Sequence, residues 1–181
     1  TIAGVAPIAA FGTLPADLHL AIGLGDLDAA DPAIALLAER GRLAARGATV
    51  LPCEAVAWGA FGEAPALVLP GRFDEIAAAA LMLVAPLLDR LTGATPETSE
   101  IPVRLARKIV SQVGFAEVAY LAPTADGRWD PVAVGRAPWA ALARARAWIE
   151  FSPESEGLAE GADVLARPLG STGLFPHGDR T

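Results

Sequence analysis

The segment Ala66–Leu69 (ALVL) is apolar at every position and runs directly into Pro70-Gly71-Arg72, an Ala- and Leu-rich stretch to Leu91, and then Gly93. A strand apolar on alternate residues leaves one face to water. A strand apolar throughout is covered on both faces, which in practice means a sheet layered with helices. The spacing predicts a buried strand over 66–69, a tight turn at Pro70-Gly71, and a helix over Arg72–Leu91 that stops at Gly93. For this part of the chain the expected fold class is α/β.

The same pattern recurs upstream. Asp17–Ile22 (DLHLAI) alternates and ends in Gly23-Leu24-Gly25-Asp26, a strand passing into a polar loop. Asp31-Pro32 then opens a helix, because an N-cap Asp accepts backbone N–H bonds and a first-turn Pro loses nothing by lacking its own. Ile34, Leu37 and Ala38 supply its apolar stripe and Gly41 ends it. Two short strands are expected near Ala48–Leu51 and Val56–Trp58, on either side of Pro52-Cys53-Glu54.

Composition changes at Ala94–Glu100 (ATPETSE), which reads as a linker. Beyond it the signals are mostly β. Ala116–Leu121 and Pro131–Gly135 flank Asp126-Gly127, a hairpin turn signal. Ala147–Phe151 and Asp163–Pro168 bracket Glu160-Gly161, with a short helix near Trp139–Ala145. Val103–Val113 fits helix or strand equally well. The expected organisation is an α/β domain over 1–93, a linker over 94–100, a small, mostly antiparallel β-barrel or sandwich domain over 101–169, and a loose tail over 170–181.

The 181 residues carry a net charge of −7, which argues against general binding of nucleic acid or an anionic membrane surface. The apolar run Ile76–Leu88 is interrupted by Pro86 and falls short of the roughly 18 residues of a membrane span. No charged segment followed by an apolar signal core opens the chain, so the expected location is cytoplasmic. A single cysteine, Cys53, cannot close an internal disulfide, and His19 and His177 stand apart with no companion ligands.

Two clusters carry candidate chemistry. Asp26, Asp28 and Asp31 follow a strand end, where open α/β sheets place ligands, and carboxylates there suit magnesium. Equally, Asp31 is an N-cap and the other two are solvated loop residues. Gly71-Arg72 at a helix N-terminus suits an anion, but Asp74 and Glu75 follow at once and satisfy the same helix end. Cys53 and His19 read most simply as core residues. Trp129, Trp139 and Trp148 read as core or interface, and Glu154 and Glu156 as surface charges.

Three segments together resemble the C-terminal half of the molybdopterin molybdenumtransferases, the MoeA and gephyrin E-domain family. Ile22–Ala33 resembles that family's glycine-rich loop after a strand. Gly47–Gly59 (GATVLPCEAVAWG) resembles its Lys-Pro-Gly-Lys-Pro hairpin, and Leu69–Arg72 with its helix resembles a third conserved turn. Arg104–Arg107 and Ala140–Leu169 resemble the family's small C-terminal β domain. The resemblance implies a partial three-layer molybdopterin-binding α/β domain and a role in molybdenum cofactor biosynthesis. That role is insertion of molybdate into adenylylated molybdopterin, with magnesium involved and a homodimer as the expected assembly.

By the same implication Asp31 is the candidate catalytic residue, and Asp26 and Asp31 are candidate magnesium ligands. Gly23, Gly25, Asp26, Asp28, Pro52, Glu54, Pro70, Gly71 and Arg72 are candidate residues for binding molybdopterin. The departures are specific. Leu51 and Glu54 stand where the family has its two hairpin lysines, Leu24 and Asp26 replace a glycine and a serine, and Arg72-Phe73 replaces Asn-Pro. Losing cations weakens binding of an oxyanion, since charge-assisted hydrogen bonds are roughly twice as strong as neutral ones. Family members also carry more chain ahead of this region, so an edge strand exposed near Thr1 is expected unless a partner covers it. These departures raise the alternative of a catalytically inactive molybdopterin-binding or scaffold paralogue or fragment.

Overall fold

The computed structural model describes residues 5–25, 27–28, 30–94 and 100–170. In chain order the elements are β1 (His19–Ile22), α1 (Pro32–Arg40), β2 (Arg42–Arg46), β3 (Val50–Leu51), β4 (Ala57–Phe61) and β5 (Ala64–Leu69). They continue with α2 (Phe73–Ala79), a π turn (Ala80–Val84), α3 (Ala85–Thr92), β6 (Ile101–Arg104), β7 (Ile109–Val110) and β8 (Ala116–Pro123). The last are β9 (Trp129–Val134), α4 (Trp139–Arg144), β10 (Ala147–Phe151), β11 (Gly157–Leu158) and β12 (Asp163–Pro168).

The chain divides into two compact units, Thr1–Ala48 with Cys53–Ala80, and Thr49–Pro52 with Leu81–Thr181. The first holds a four-stranded mixed sheet in the order β1-β5-β4-β2. β1 and β5 are parallel, β4 and β5 form an antiparallel hairpin, and β2 pairs antiparallel with β4. Ala66, Leu67, Val68 and Leu69 are all buried, as expected for a strand covered on both faces. Ala33, Ile34 and Leu37 of α1 join Phe11, Ala21, Leu27, Ala57, Ala66 and Val68 in one core. β1 is an edge strand among the described residues, and its Leu20 and Ile22 are exposed.

Helix α1 begins as its sequence dictates: the Asp31 side chain caps it, Pro32 occupies the first turn, and the Gly41 amide closes it on the Leu37 carbonyl. The long helix beyond Pro70-Gly71 is continuous over 73–92 but is not α throughout. It widens to a π turn at Ala80–Val84, immediately ahead of Pro86, whose missing N–H removes one rung of the α ladder. Gly93 ends it in the left-handed conformation.

Two sequence expectations shift here. β2 (RLAAR) has no alternating apolar signal and was not anticipated; its pairing with β4 makes it a strand. The short strand before Pro52 contracts to Val50–Leu51 and pairs in parallel with β8, so it belongs to the second unit.

In that second unit the strand order is β3-β8-β10-β12-β6, with β9 also on β8, and β7 pairs with β11. Apart from β3–β8 these pairings are antiparallel. No sheet among the described residues closes on itself, so the barrel alternative is corrected to open sheets. Val103–Val113, open between helix and strand, resolves into parts of β6 and β7 with a turn between them. Asp126-Gly127 makes the hairpin turn as expected: the Asp126 carboxylate accepts from Thr124 Oγ1, the Arg128 amide and Arg128 Nε. The linker residues 95–99 and the tail 171–181 lie outside the described residues.

Candidate functional site

In the first unit the two parallel strands finish at one end of the sheet, and there the loops meet backbone to backbone. The Gly23 amide donates to the Leu69 carbonyl at 2.9 Å, and the Gly71 amide donates to the Gly25 carbonyl at 3.3 Å. A Cβ added at Gly71 would lie 2.6 Å from the Gly23 carbonyl oxygen and 2.9 Å from the Gly25 nitrogen. One added at Gly23 would lie 2.0 Å from Leu27 Cδ2 and 2.7 Å from an Asp31 carboxylate oxygen. A side chain at Gly71 would push the two turns apart, and one at Gly23 would displace Leu27 and Asp31 within its own loop. β4 starts at Ala57, opposite Val68, so the turn over 53–56 emerges at the same end.

The predicted residues therefore separate by role. Gly23, Gly25, Asp31, Pro70, Gly71 and Arg72 come together on the two turns. Glu54 sits half-buried on the 53–56 turn, with its carbonyl accepting from the Ala48 amide. Pro52 is buried, belongs to the second unit and follows Leu51 through a cis peptide bond. Asp28 is exposed and its carboxylate accepts from the Ala30 amide at 2.8 Å. Asp26 lies outside the described residues.

Asp31 is buried and its carboxylate faces backbone donors on both oxygens. One accepts from Leu24 N at 2.6 Å, the other from Ala33 N at 2.8 Å and Ile34 N at 3.3 Å. It ties the β1–α1 loop to the helix start, which is what an N-cap does. Among the described residues no three His, Cys, Asp or Glu side chains converge on a point, and Asp26, the other candidate magnesium ligand, lies outside them.

Arg72 is half-exposed, and its guanidinium meets the buried Asp74 at 3.2 Å and Glu75 at 3.7 Å, while its amide donates to Glu75 Oε2. The cation expected to receive an anion is thus already bracketed by the two carboxylates that follow it. Cys53 is fully buried, and burial pushes its thiol up to about 12, with the Glu54 and Glu75 charges acting in the same direction. It is a small apolar core residue under ordinary conditions. His19 also lies in the core, edge-on to Phe11 and Phe61 at 6.2 and 5.2 Å between ring centroids.

Arg46 escaped the sequence reading. It ends β2 opposite Ala57, and its Nη2 donates to the Leu27 carbonyl across the end of the sheet. Leu27 is buried at 1% exposure yet holds φ at 53°, a left-handed conformation that costs a leucine about 1–2 kcal/mol. The one sequence signal is an arginine immediately before Gly47 at the end of an alanine-rich run, which is too common a pattern to single out.

The first of the two turns borders a cleft of about 110 Å³ lined by Ile8, Ile22, Gly23, Leu24, Asp31, Pro32 and Ala33. Enclosed ligand sites usually measure roughly 300–1,000 Å³, so this cleft is too small to enclose a ligand of ordinary size. A larger groove of about 440 Å³ in the second unit is lined by β6 and β12 residues with Gly127 and Trp129. Elsewhere in that unit Trp148 is buried under the Arg167 guanidinium, 5.0 Å from its ring centre, whereas Trp139 is exposed and so is not a core residue, which leaves the interface alternative. Glu154 and Glu156 are exposed surface charges, as expected.

No protein-family model and no curated protein matches the sequence. Solved structures do. A molybdenum cofactor biosynthesis protein from Pyrococcus furiosus superposes with a TM-score of 0.63 at 20% identity, covering 84% of this chain and 48% of that one. Two structures of the molybdopterin biosynthesis MoeA protein from Pyrococcus horikoshii superpose with TM-scores of 0.66 and 0.61, at 22% and 21% identity. They cover 84% and 71% of this chain, and 37% and 33% of theirs. The chain has the MoeA-type fold over most of its length and spans a third to a half of the length of the structures it matches.

Proposed function

We propose, from the MoeA-type fold, that this chain acts in molybdenum cofactor biosynthesis by binding molybdopterin, or its adenylylated form, at the sheet end where β1 and β5 finish. The carrying observation is the contact of the two glycine turns at the sheet end, where Gly25 and Gly71 are exposed. A flat ring system approaches bare backbone more closely than side chains allow, and the sheet end is where α/β folds present ligands. Gly23 and Pro70 shape the turns, Asp31 holds the loop to α1, and Arg72 is the candidate cation for a ligand's phosphate. In this reading the first unit is a partial three-layer molybdopterin-binding domain, and the protein works as a cytoplasmic homodimer.

A second reading, binding without insertion chemistry, has a specific support of its own. Leu51 and Glu54 occupy the positions of the family's hairpin lysines, and Asp74 and Glu75 already engage Arg72. A site whose cation is paired and whose neighbours are acidic offers little stabilisation to an oxyanion transition state.

Titration of the protein with molybdopterin, and separately with molybdate plus magnesium, tests the binding reading. Saturable molybdopterin binding that weakens in Gly71→Ala supports it, and absence of binding rejects it. Expressing the gene in a strain lacking the transferase separates the two classes. Restored molybdoenzyme activity rejects the non-catalytic reading, and binding without restoration rejects the transferase.

A further inference from the structure

We propose that Arg46 is the positioning residue of the β1–α1 loop, the device that holds the Leu27 backbone at the sheet end in the conformation that faces the ligand. The inference rests on the binding reading above for its functional consequence, but not for its structural content. Three anchors fix this loop. Its start is tied by the Gly23 amide to Leu69 and by the Gly25 carbonyl to Gly71. Its end is tied by the Asp31 carboxylate to Leu24, Ala33 and Ile34. Its middle is tied by Arg46, which reaches from the far edge strand to the Leu27 carbonyl.

The middle anchor carries the strained residue. Leu27 keeps a left-handed backbone at φ 53° while its side chain fills the space against Gly23. A leucine persists in such a conformation only where its surroundings over-determine it, and the guanidinium donation is the polar part of that constraint. The Arg46 side chain is exposed, so its reach toward Leu27 is not a by-product of core packing. A guanidinium offers five donors in a fixed fork, and one spent on the carbonyl leaves the others toward solvent.

The test uses the full chain with Arg46→Leu, Arg46→Gln and Arg46→Lys, read by amide hydrogen exchange and by molybdopterin titration. Losing one hydrogen bond of ordinary strength predicts about fivefold faster exchange over residues 24–33 in Arg46→Leu, with β4 and β5 amides unchanged. Molybdopterin affinity falls by about the same factor, and Arg46→Lys, which keeps a donor of similar reach, recovers most of both losses. Unchanged exchange over 24–33 in Arg46→Leu overturns the proposal, as does failure of Arg46→Lys to recover it. If Arg46→Leu does not fold, Arg46→Gln against Arg46→Lys carries the same comparison. If wild type binds no molybdopterin while the loop still loosens in Arg46→Leu, the binding reading fails and the positioning role stands.

Discussion

At Asp31 the carboxylate accepts from three backbone amides, and this decides what its substitution does. Asp31→Ala removes the cap and the loop tie, and a loss of about 1–2 kcal/mol in urea unfolding is expected. Asp31→Asn keeps an acceptor and costs less; a loss equal to that of alanine would mean that the charge, not the cap, carries the effect. Asp-Pro at a helix start made this cap legible in the sequence, because both residues act through local backbone chemistry. Arg46 was not legible, because its partner is 19 residues away and only the fold brings them together. Cys53 gives a pH prediction. Its folded thiol titrates near 12, above the value of about 8.5 in an unfolded chain, so between those values the unfolded state has lost a proton that the native state keeps. Stability is unaffected below about pH 8.5 and falls as pH rises toward 12. Cys53→Ala flattens that part of the profile, and alkylation of native protein at neutral pH is slow; rapid alkylation would contradict the burial.

The turn between β5 and α2 is the element on which the site depends. Gly71→Ala places a methyl group within 2.6 Å of the Gly23 carbonyl oxygen, so one turn must move. The expected cost is about 1–3 kcal/mol, as for other overpacked positions, measured as a lowered unfolding midpoint; an unchanged midpoint would show that the turns are not in contact. Strand, turn and helix here were readable because an all-apolar strand, a Pro-Gly turn and a terminal glycine each act locally. The π turn ahead of Pro86 and the strand β2 were not. The first depends on how a long helix absorbs a proline, and the second is a run of alanine and arginine held in place by β4.

Across the molecule the sequence placed most strands and helices of both units. It misassigned Val50–Leu51, whose pairing with β8 no local pattern announces. Among the described residues β1 is an edge strand, with Leu20 46% and Ile22 59% exposed. Covering that face is the simplest physical basis for the homodimer we propose. Sedimentation of wild type should then show a dimer that Leu20→Glu converts to monomer without lowering the unfolding midpoint; a monomeric wild type would reject it. The most direct measurement of the binding proposal is an amide chemical-shift map of the isotopically labelled protein during addition of molybdopterin. Shifts concentrated at Gly23–Gly25, the 53–56 turn and Gly71–Arg72 are predicted, whereas shifts confined to the groove between β6 and β12, or none at saturating ligand, would contradict it.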